Sequence, residues 1–489
     1  MSRLDALVSL SQVKRAIVDA ILDALTDVPG IRSITFVGSF VDREDLSGIS
    51  DIDTVVVFDR LTPARFAEAV AQVRALSGEA VGCPGRQLLV NATLGPLKYD
   101  GLDQVVVHLM LYDLASHRQH VIKSPFTCLD WERSQVGWGV LLADVYPVGC
   151  LEPRDFLAAR RGLTNYVSDL ESGTLSFRRF EPQADRMVEV EDRVVLDRRH
   201  QGEYAYHIVR NLVANTLKLL SGQNRLWDEP SFLVVWREQL PEMVEWISFY
   251  ECLRDLKLAR ADDFPADTLA RTRIFLGAFS AALDDVINRA FKLRFVRHGR
   301  TLLNDGTFLG RGRDPALVEP QSIARLDQQW DSVHSSPMRR AVETAKALAP
   351  QSSIHVDERL AEIDYGHAEG HNLASLREHF PQVVWAWDRG EDSPFPGGEG
   401  NEDVLRRARS YLESFALAAG SGLAVTHNVV LRVIVAHLLG LDLRQAYRIP
   451  IAHLEALDIC RIGGRWLPNW GATVKAQLID GFVGWQDRE

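Results

Sequence analysis

The chain has 489 residues, 46% of them hydrophobic and 25% charged, enough for two or three separate cores and inconsistent with a largely disordered chain. Its 55 Lys+Arg against 66 Asp+Glu leave a net charge of −11, the wrong sign for a surface that wraps nucleic acid, so no large nucleic-acid partner is expected. Five cysteines, Cys83, Cys128, Cys150, Cys252 and Cys460, stand far apart with no CxxC pair, which argues against a disulfide framework or a cysteine zinc site. The first residues carry charges through their apolar stretch, unlike a signal peptide, and no apolar run nears the ~20 residues of a membrane span. A cytoplasmic protein without a membrane partner is the expectation.

In chain order, Leu7 to Leu25 has helical apolar spacing and stops at Pro29-Gly30. A β-type run at 34–37, a Gly38-Ser39 turn, a strand over 52–58, a helix over 64–76 and strands over 87–92 and 104–112 follow. This mixed α/β pattern predicts a first domain over 1–150. Long amphipathic helices near 155–171, 203–220, 232–258 and 267–291 predict a helical bundle over 151–290, with a charged loop or hairpin at 178–200. From 291 to 489 strand-like and helical runs alternate, which predicts a doubly wound α/β domain.

Residues 36–58 read FVGSFVDREDLSGISDIDTVVVF. A strand delivers Gly38-Ser39 into a turn whose free N–H groups and hydroxyl can hold a phosphate. After an eleven-residue spacer a new strand opens with Asp51 and Asp53. Carboxylates at i and i+2 of a strand share a face. They repel unless a cation sits between them, and Mg²⁺ suits such a pair. The pattern resembles the nucleotidyltransferase superfamily that includes DNA polymerase beta and the antibiotic nucleotidyltransferases. The resemblance implies transfer of a nucleoside monophosphate from a nucleoside triphosphate to a hydroxyl. It also implies Gly38 and Ser39 at the triphosphate, Asp51 and Asp53 as Mg²⁺ ligands, and a trailing helical bundle. Where that family usually has a third carboxylate, the strand over 104–112 carries His108, flanked by Asp103 and Asp113.

Residues 293–304 read LRFVRHGRTLLN, an apolar strand ending in Arg297-His298-Gly299. The histidine therefore stands at a strand's carboxyl end, where α/β folds place ligands, beside a cation that favours its neutral form. Further on come Arg339-Arg340, Glu362, Pro396-Gly-Gly-Glu399 and Thr426-His427-Asn428. This order resembles the histidine phosphatase superfamily, the phosphoglycerate mutase-like group, over nearly all of 293–489. The resemblance implies His298 as a nucleophile that accepts the phosphoryl group, with Arg297, Arg340 and His427 clamping its oxygens. Glu362 would protonate the leaving alkoxide and then activate water, with no metal. Thr301, Asn304, Gly398, Glu399 and Asn428 would border the substrate, Asn428 replacing the family's usual glycine.

Together these readings point to a bifunctional enzyme. A phosphohistidine phosphatase for a small phosphorylated metabolite, of the sugar or cyclitol phosphate kind, is joined to a Mg²⁺-dependent nucleotidyltransferase that uses a nucleoside triphosphate. The alternative is a phosphatase regulated by a nucleotide-sensing, catalytically weak front domain. His207, Arg210 and Asn211 read as a solvated or acceptor-facing helix surface, and His367 and His371 as loop residues near the phosphatase pocket.

Overall fold

The computed structural model describes residues 11–42, 51–79, 85, 87–95, 104–133, 135–146, 148, 150–221, 227–259, 261, 264–415 and 419–470. Asp103, one of the three candidates for a third front-site group, lies outside them. The chain forms two compact units, one of residues 1–151, 158–282 and 487–489, the other of 152–157 and 283–486. Among the described residues no helix is long and apolar enough to cross a membrane.

The first unit is built on a mixed five-stranded sheet of β1 (Ile31–Val37), β2 (Asp51–Phe58), β3 (Gln87–Asn91), β4 (Gln104–Asp113) and β5 (Gln135–Gly139), in the order β3-β4-β2-β1-β5. β2 ends in Val55-Val56-Val57-Phe58, all fully buried. Such an unbroken apolar run belongs to a strand covered on both faces, not to one alternating between core and water. β2 runs parallel to β4 with Asp53 opposite His108, and antiparallel to β1 with Asp53 opposite Val37. That register places the Gly38 turn, the acidic start of β2 and His108 together.

The charged segment expected as a loop or hairpin is a two-stranded ribbon, β6 (Thr174–Gln183) and β7 (Arg186–Val195). It belongs to the first unit's core, because Phe180 and Met187 join the same apolar cluster as β1 and β2. The single helix expected over 232–258 is broken. Pro241 lacks an N–H for the helix ladder, and the chain runs as Glu229–Gln239, a 3₁₀ turn Pro241–Trp246, and Ile247–Leu258. His207, Arg210 and Asn211 lie on the helix Arg198–Ser221. They are half-buried and packed rather than freely solvated: the His207 ring stacks on Tyr204, Arg210 lies over Phe232, and Asn211 reaches the His207 ring.

The second unit is built on a six-stranded sheet. Its strands are β8 (Phe291–Arg297), β9 (Ser332–Ser335), β10 (Ile354–Val356), β11 (Ser421–Thr426), β12 (Ala456–Ile462) and β13 (Arg465–Pro468), in the order β10-β9-β11-β8-β12-β13. The four strands from β10 to β8 are parallel, and β12 and β13 add an antiparallel edge. β11 is buried at every position, which fixes the carboxyl ends of β8 and β11 side by side, Arg297 opposite Thr426.

Candidate active sites

The carboxyl ends of β8 and β11, with the helix Arg339–Leu348 after β9, bring His298, His427 and Arg340 into one pocket. The ring of His298 lies 5.0 Å from that of His427 and 5.4 Å from that of His453. Exposure is 3% for His298, 4% for Glu362 and none for Arg340 and His427, so all four side chains are buried. His298 Nδ1 lies 2.7 Å from the Gly299 carbonyl. A carbonyl only accepts, so Nδ1 carries the proton and Nε2 keeps its lone pair. Burial, and then the charge of Arg340, hold this histidine well below its ordinary pKa, so the neutral ring is the resident form.

The cations around it are held by backbone carbonyls, and Arg340 also by Asp314 Oδ1 at 3.3 Å, while each keeps an unpaired Nε. Arg340 donates to the carbonyls of Gly310 (2.8 Å) and Arg313 (3.1 Å), and Arg297 to that of Ile451 (2.6 Å). Arg297 Nε, Arg340 Nε and His427 Nδ1 are buried without a protein partner, although His427 Nε2 is held 2.7 Å from Ser336 Oγ. Buried donors left unpaired are costly unless a ligand satisfies them; the two arginine nitrogens suit an oxyanion, and His427 Nδ1 joins them in the tautomer whose Nε2 accepts the Ser336 hydroxyl. Glu362 accepts the Ile363 N–H at 2.9 Å. Burial raises its pKa against the pull of Arg340, Arg407 and Arg297, so the carboxyl keeps its proton to higher pH than an ordinary glutamate.

The residues expected to border a substrate divide into two kinds. Thr301 and Asn304 form a side-chain-locked turn, the Thr301 N–H donating to Asn304 Oδ1 at 2.7 Å. Asn428 opens the helix Asn428–Leu439 behind His427, and its Oδ1 is buried without a protein partner. Gly398 packs so closely that a Cβ there would lie 2.2 Å from the Asp364 carbonyl. Glu399 turns away from substrate chemistry: its carboxylate accepts from Arg311 (3.0 Å), Arg407 (3.1 Å) and the Asp364 N–H (3.0 Å). It ties the loop down. His367 and His371 lie on that side too, the His371 ring bonded to Ser375 Oγ at 2.6 Å.

Sequence reasoning missed His453, which donates from Nδ1 to the His298 carbonyl at 3.0 Å, and Thr344, whose hydroxyl receives the Gly299 N–H at 3.0 Å. It also missed a cavity of about 460 Å³. Ile363 and Tyr365, just after Glu362, and Val429 and Arg432, just after Asn428, line one part of it. Phe308, Trp387 and Phe395 line another part, beside the charged Arg377, Asp388, Asp392 and Arg444, with Phe395 5.0 Å from Trp387 and 4.7 Å from Tyr365 between ring centres.

The front constellation has a different character. One ligand atom each from Asp51, Asp53 and His108 lies within 4.8 Å of the others. His108 Nδ1 is 2.8 Å from Asp53 Oδ1 and 3.9 Å from Asp51 Oδ2, and Nε2 is 2.6 Å from the Thr93 carbonyl. Burial alone would lower the His108 pKa. The hydrogen bond and charge of Asp53, with the charge of Asp51, outweigh it and raise the value to about 9. Gly38 has φ +69°, and a Cβ there would lie 2.9 Å from Asp53 Oδ2; glycine leaves room for that carboxylate. Ser39 begins the short helix Ser39–Asp42. Asp113 is not brought to the pair: it caps the helix Leu114–Lys123 by accepting the Ser116 N–H at 2.8 Å. His108 therefore holds the place where the resemblance led one to look for a third carboxylate.

Comparison with known proteins bears on the second unit. Residues 293–467 match the histidine phosphatase superfamily (branch 1). The chain is 31% identical to "Putative phosphoserine phosphatase 2" of Hydrogenobacter thermophilus over 182 residues, 35% of this chain and 88% of that protein. It is 32% identical to a 2,3-bisphosphoglycerate-dependent phosphoglycerate mutase of Rhizobium etli over 159 residues, 29% of this chain and 76% of that protein. Among solved structures, Bacillus stearothermophilus YhfR is similar at 26% identity and a TM-score of 0.33, covering 38% of this chain and 98% of that one. The match runs from the strand that ends in Arg297 to the last strand of the sheet, and through this C-terminal part the chain belongs to the histidine phosphatase superfamily.

Proposed function

We propose that the second unit hydrolyses small phosphomonoesters through a phosphohistidine on His298, without a metal. The phosphoryl oxygens take the unpaired donors of Arg297, Arg340 and His427, which offset charge as it builds on them. His298 Nε2 attacks phosphorus while the bond to the ester oxygen breaks, and Glu362 gives its proton to the departing alkoxide. The Glu362 carboxylate then takes a proton from water. The resulting hydroxide attacks phosphorus, the N–P bond breaks, and phosphate leaves with His298 neutral again. Thr301, Asn304, Gly398 and Asn428 border the substrate, Glu399 acts through Arg311 and Arg407, and the aromatic cavity receives the leaving group.

The single observation that carries this reading is the Nδ1–H of His298 on the Gly299 carbonyl, which leaves Nε2 as the nucleophile among unpaired donors. The relatives' names add phosphoserine and phosphoglycerates to the substrates worth testing. Phosphate release from a panel of phosphorylated metabolites in EDTA, with His298→Ala beside wild type, tests it. Release by wild type alone supports the reading, and equal release by both defeats it.

A second reading, favoured by the Gly38–Asp53 approach and the shared face of Asp51 and Asp53, is nucleotidyl transfer by the first unit to an acceptor of the same pathway. Gly38 and Ser39 would bind the triphosphate, and Asp51 and Asp53 would hold a divalent cation. A bound cation would neutralise the phosphates and leaving pyrophosphate. The two carboxylates fit Mg²⁺; the imidazole of His108 does not, since Mg²⁺ favours oxygen ligands. Pyrophosphate release from a triphosphate with the phosphatase product as acceptor would support transfer. A nucleotide effect on phosphatase rate without pyrophosphate would favour a sensing module instead.

A further inference from the structure

We propose that Asp51, Asp53 and His108 form a mixed carboxylate–imidazole cation site, with His108 Nδ1 as its third ligand, that selects Zn²⁺ or a similar first-row dication over Mg²⁺. The inference rests on reading the carboxylate pair as a cation site and changes which ion that site takes.

Three observations converge. First, the ligands sit on rigid neighbours: β2 and β4 are parallel, Asp53 is opposite His108, and Asp51 shares Asp53's face. His108 Nδ1 lies 2.8 Å from Asp53 Oδ1 and 3.9 Å from Asp51 Oδ2, distances that bracket the roughly 3.4 Å separating ligands about 2.1 Å from one tetrahedral ion. Second, His108 Nε2 is 2.6 Å from the Thr93 carbonyl. That bond holds one proton on Nε2, so a cation that displaces the Nδ1 proton shared with Asp53 meets a lone pair facing both carboxylates. A backbone carbonyl on the far nitrogen is how metal-binding histidines are oriented. Third, the side chains of Asp51, Asp53 and His108 are 33%, 23% and 12% exposed. Three protein ligands open to one side leave positions for water or a substrate oxygen.

Ligand softness then decides the ion. Imidazole suits zinc, iron and nickel, whereas Mg²⁺ keeps oxygen ligands in strict octahedral geometry. An aspartate in place of His108 would make an all-oxygen set; the histidine moves the site away from Mg²⁺.

The test is calorimetric titration of the chelator-stripped full chain with Zn²⁺ and separately with Mg²⁺, without nucleotide. Circular dichroism serves as the check on folding. Wild type should bind Zn²⁺ at least about 100-fold more tightly than Mg²⁺, and the Asp51→Asn/Asp53→Asn double variant should lose that Zn²⁺ site. His108→Ala should weaken Zn²⁺ about 10- to 100-fold, the usual cost of disturbing a metal ligand or its support, and leave Mg²⁺ unchanged. His108→Asp should narrow the Zn²⁺/Mg²⁺ ratio at least about 10-fold. Equal Zn²⁺ binding by wild type and a folded His108→Ala overturns the proposal. Binding of neither ion by wild type overturns it together with the cation-site reading beneath. Selective Zn²⁺ binding without pyrophosphate release in a transfer assay upholds the proposal and defeats only nucleotidyl transfer.

Discussion

His298 and His108 are the same residue held in opposite states. In the second unit burial and Arg340 keep His298 neutral, with one nitrogen protonated toward the Gly299 carbonyl and the other bare. In the first unit burial also works against the charged ring, but Asp53 and Asp51 overrule it and hold His108 near a pKa of about 9. The phosphatase pocket thus carries its positive charge in buried arginines with unpaired nitrogens and is ready for an anion. The front site gathers two carboxylates, with the His108 ring as a counter-charge between them. That difference in charge underlies the two proposals, a phosphoryl group for the one site and a metal ion for the other.

The variant that separates the two sites most sharply is His298→Ala. It should cut phosphate release on the order of 10⁴-fold, since His298 Nε2 is the lone pair set among the unpaired arginine donors. Asp51→Asn should leave phosphate release within about twofold; a large fall there would mean that the sites are not chemically independent. Assays of phosphate release in EDTA check both.

Glu362→Gln comes next. It should slow hydrolysis of an alkyl phosphate by roughly 10²–10⁴-fold, the usual worth of a positioned acid, and p-nitrophenyl phosphate far less, because that leaving group departs unprotonated. The pH profile carries the sign. The working form for the first step is protonated Glu362, whose pKa burial raises, so wild-type activity falls as pH climbs through that raised value. The variant should lose this limb while the ionisation of the substrate remains common to both. His298, held well below its ordinary pKa, should add no acid limb above about pH 6.

A smaller effect is expected in the aromatic cavity. Trp387→Ala should lower kcat/KM about 10-fold for phosphoesters with a large apolar or aromatic leaving group, as expected for lost side-chain contact. It should leave phosphoserine nearly unchanged. Equal loss for both would assign Trp387 to loop support. The smallest change is in stability: Glu399→Gln should cost about 1–2 kcal/mol in a denaturant melt, because Arg311 and Arg407 lose a shared carboxylate that is only one-fifth exposed.

Much of the phosphatase pocket was legible because its residues sit at fixed places on strand ends, where an apolar run stops at Arg297-His298 or Thr426-His427. What the sequence concealed lies in contacts between distant segments. The turn of Glu399 toward Arg311 depends on a partner 88 positions away, and the cavity draws its wall from Phe308, Tyr365, Trp387 and Phe395. The ribbon of β6 and β7 read as a charged loop or hairpin, with the choice left open, because its charges pair across the strands, Arg178 to Glu189 and Arg179 to Asp192. No spacing rule shows that. In the first unit Asp51 and Asp53 were visible as a strand pair, whereas the meeting of Asp53 with His108 spans 55 positions and follows only from the parallel register of β2 and β4.

On the proposed mechanism, His298 Nε2 takes the phosphoryl group without help from a metal. The most direct test is to quench the reaction of p-nitrophenyl phosphate with the full chain in EDTA within the first turnovers, then map the modified peptide by mass spectrometry. One phosphoryl group on His298, acid-labile, base-stable and missing from His298→Ala, is the predicted result. Turnover in EDTA with no phosphoryl group on His298, and undiminished turnover by the alanine variant, would contradict it.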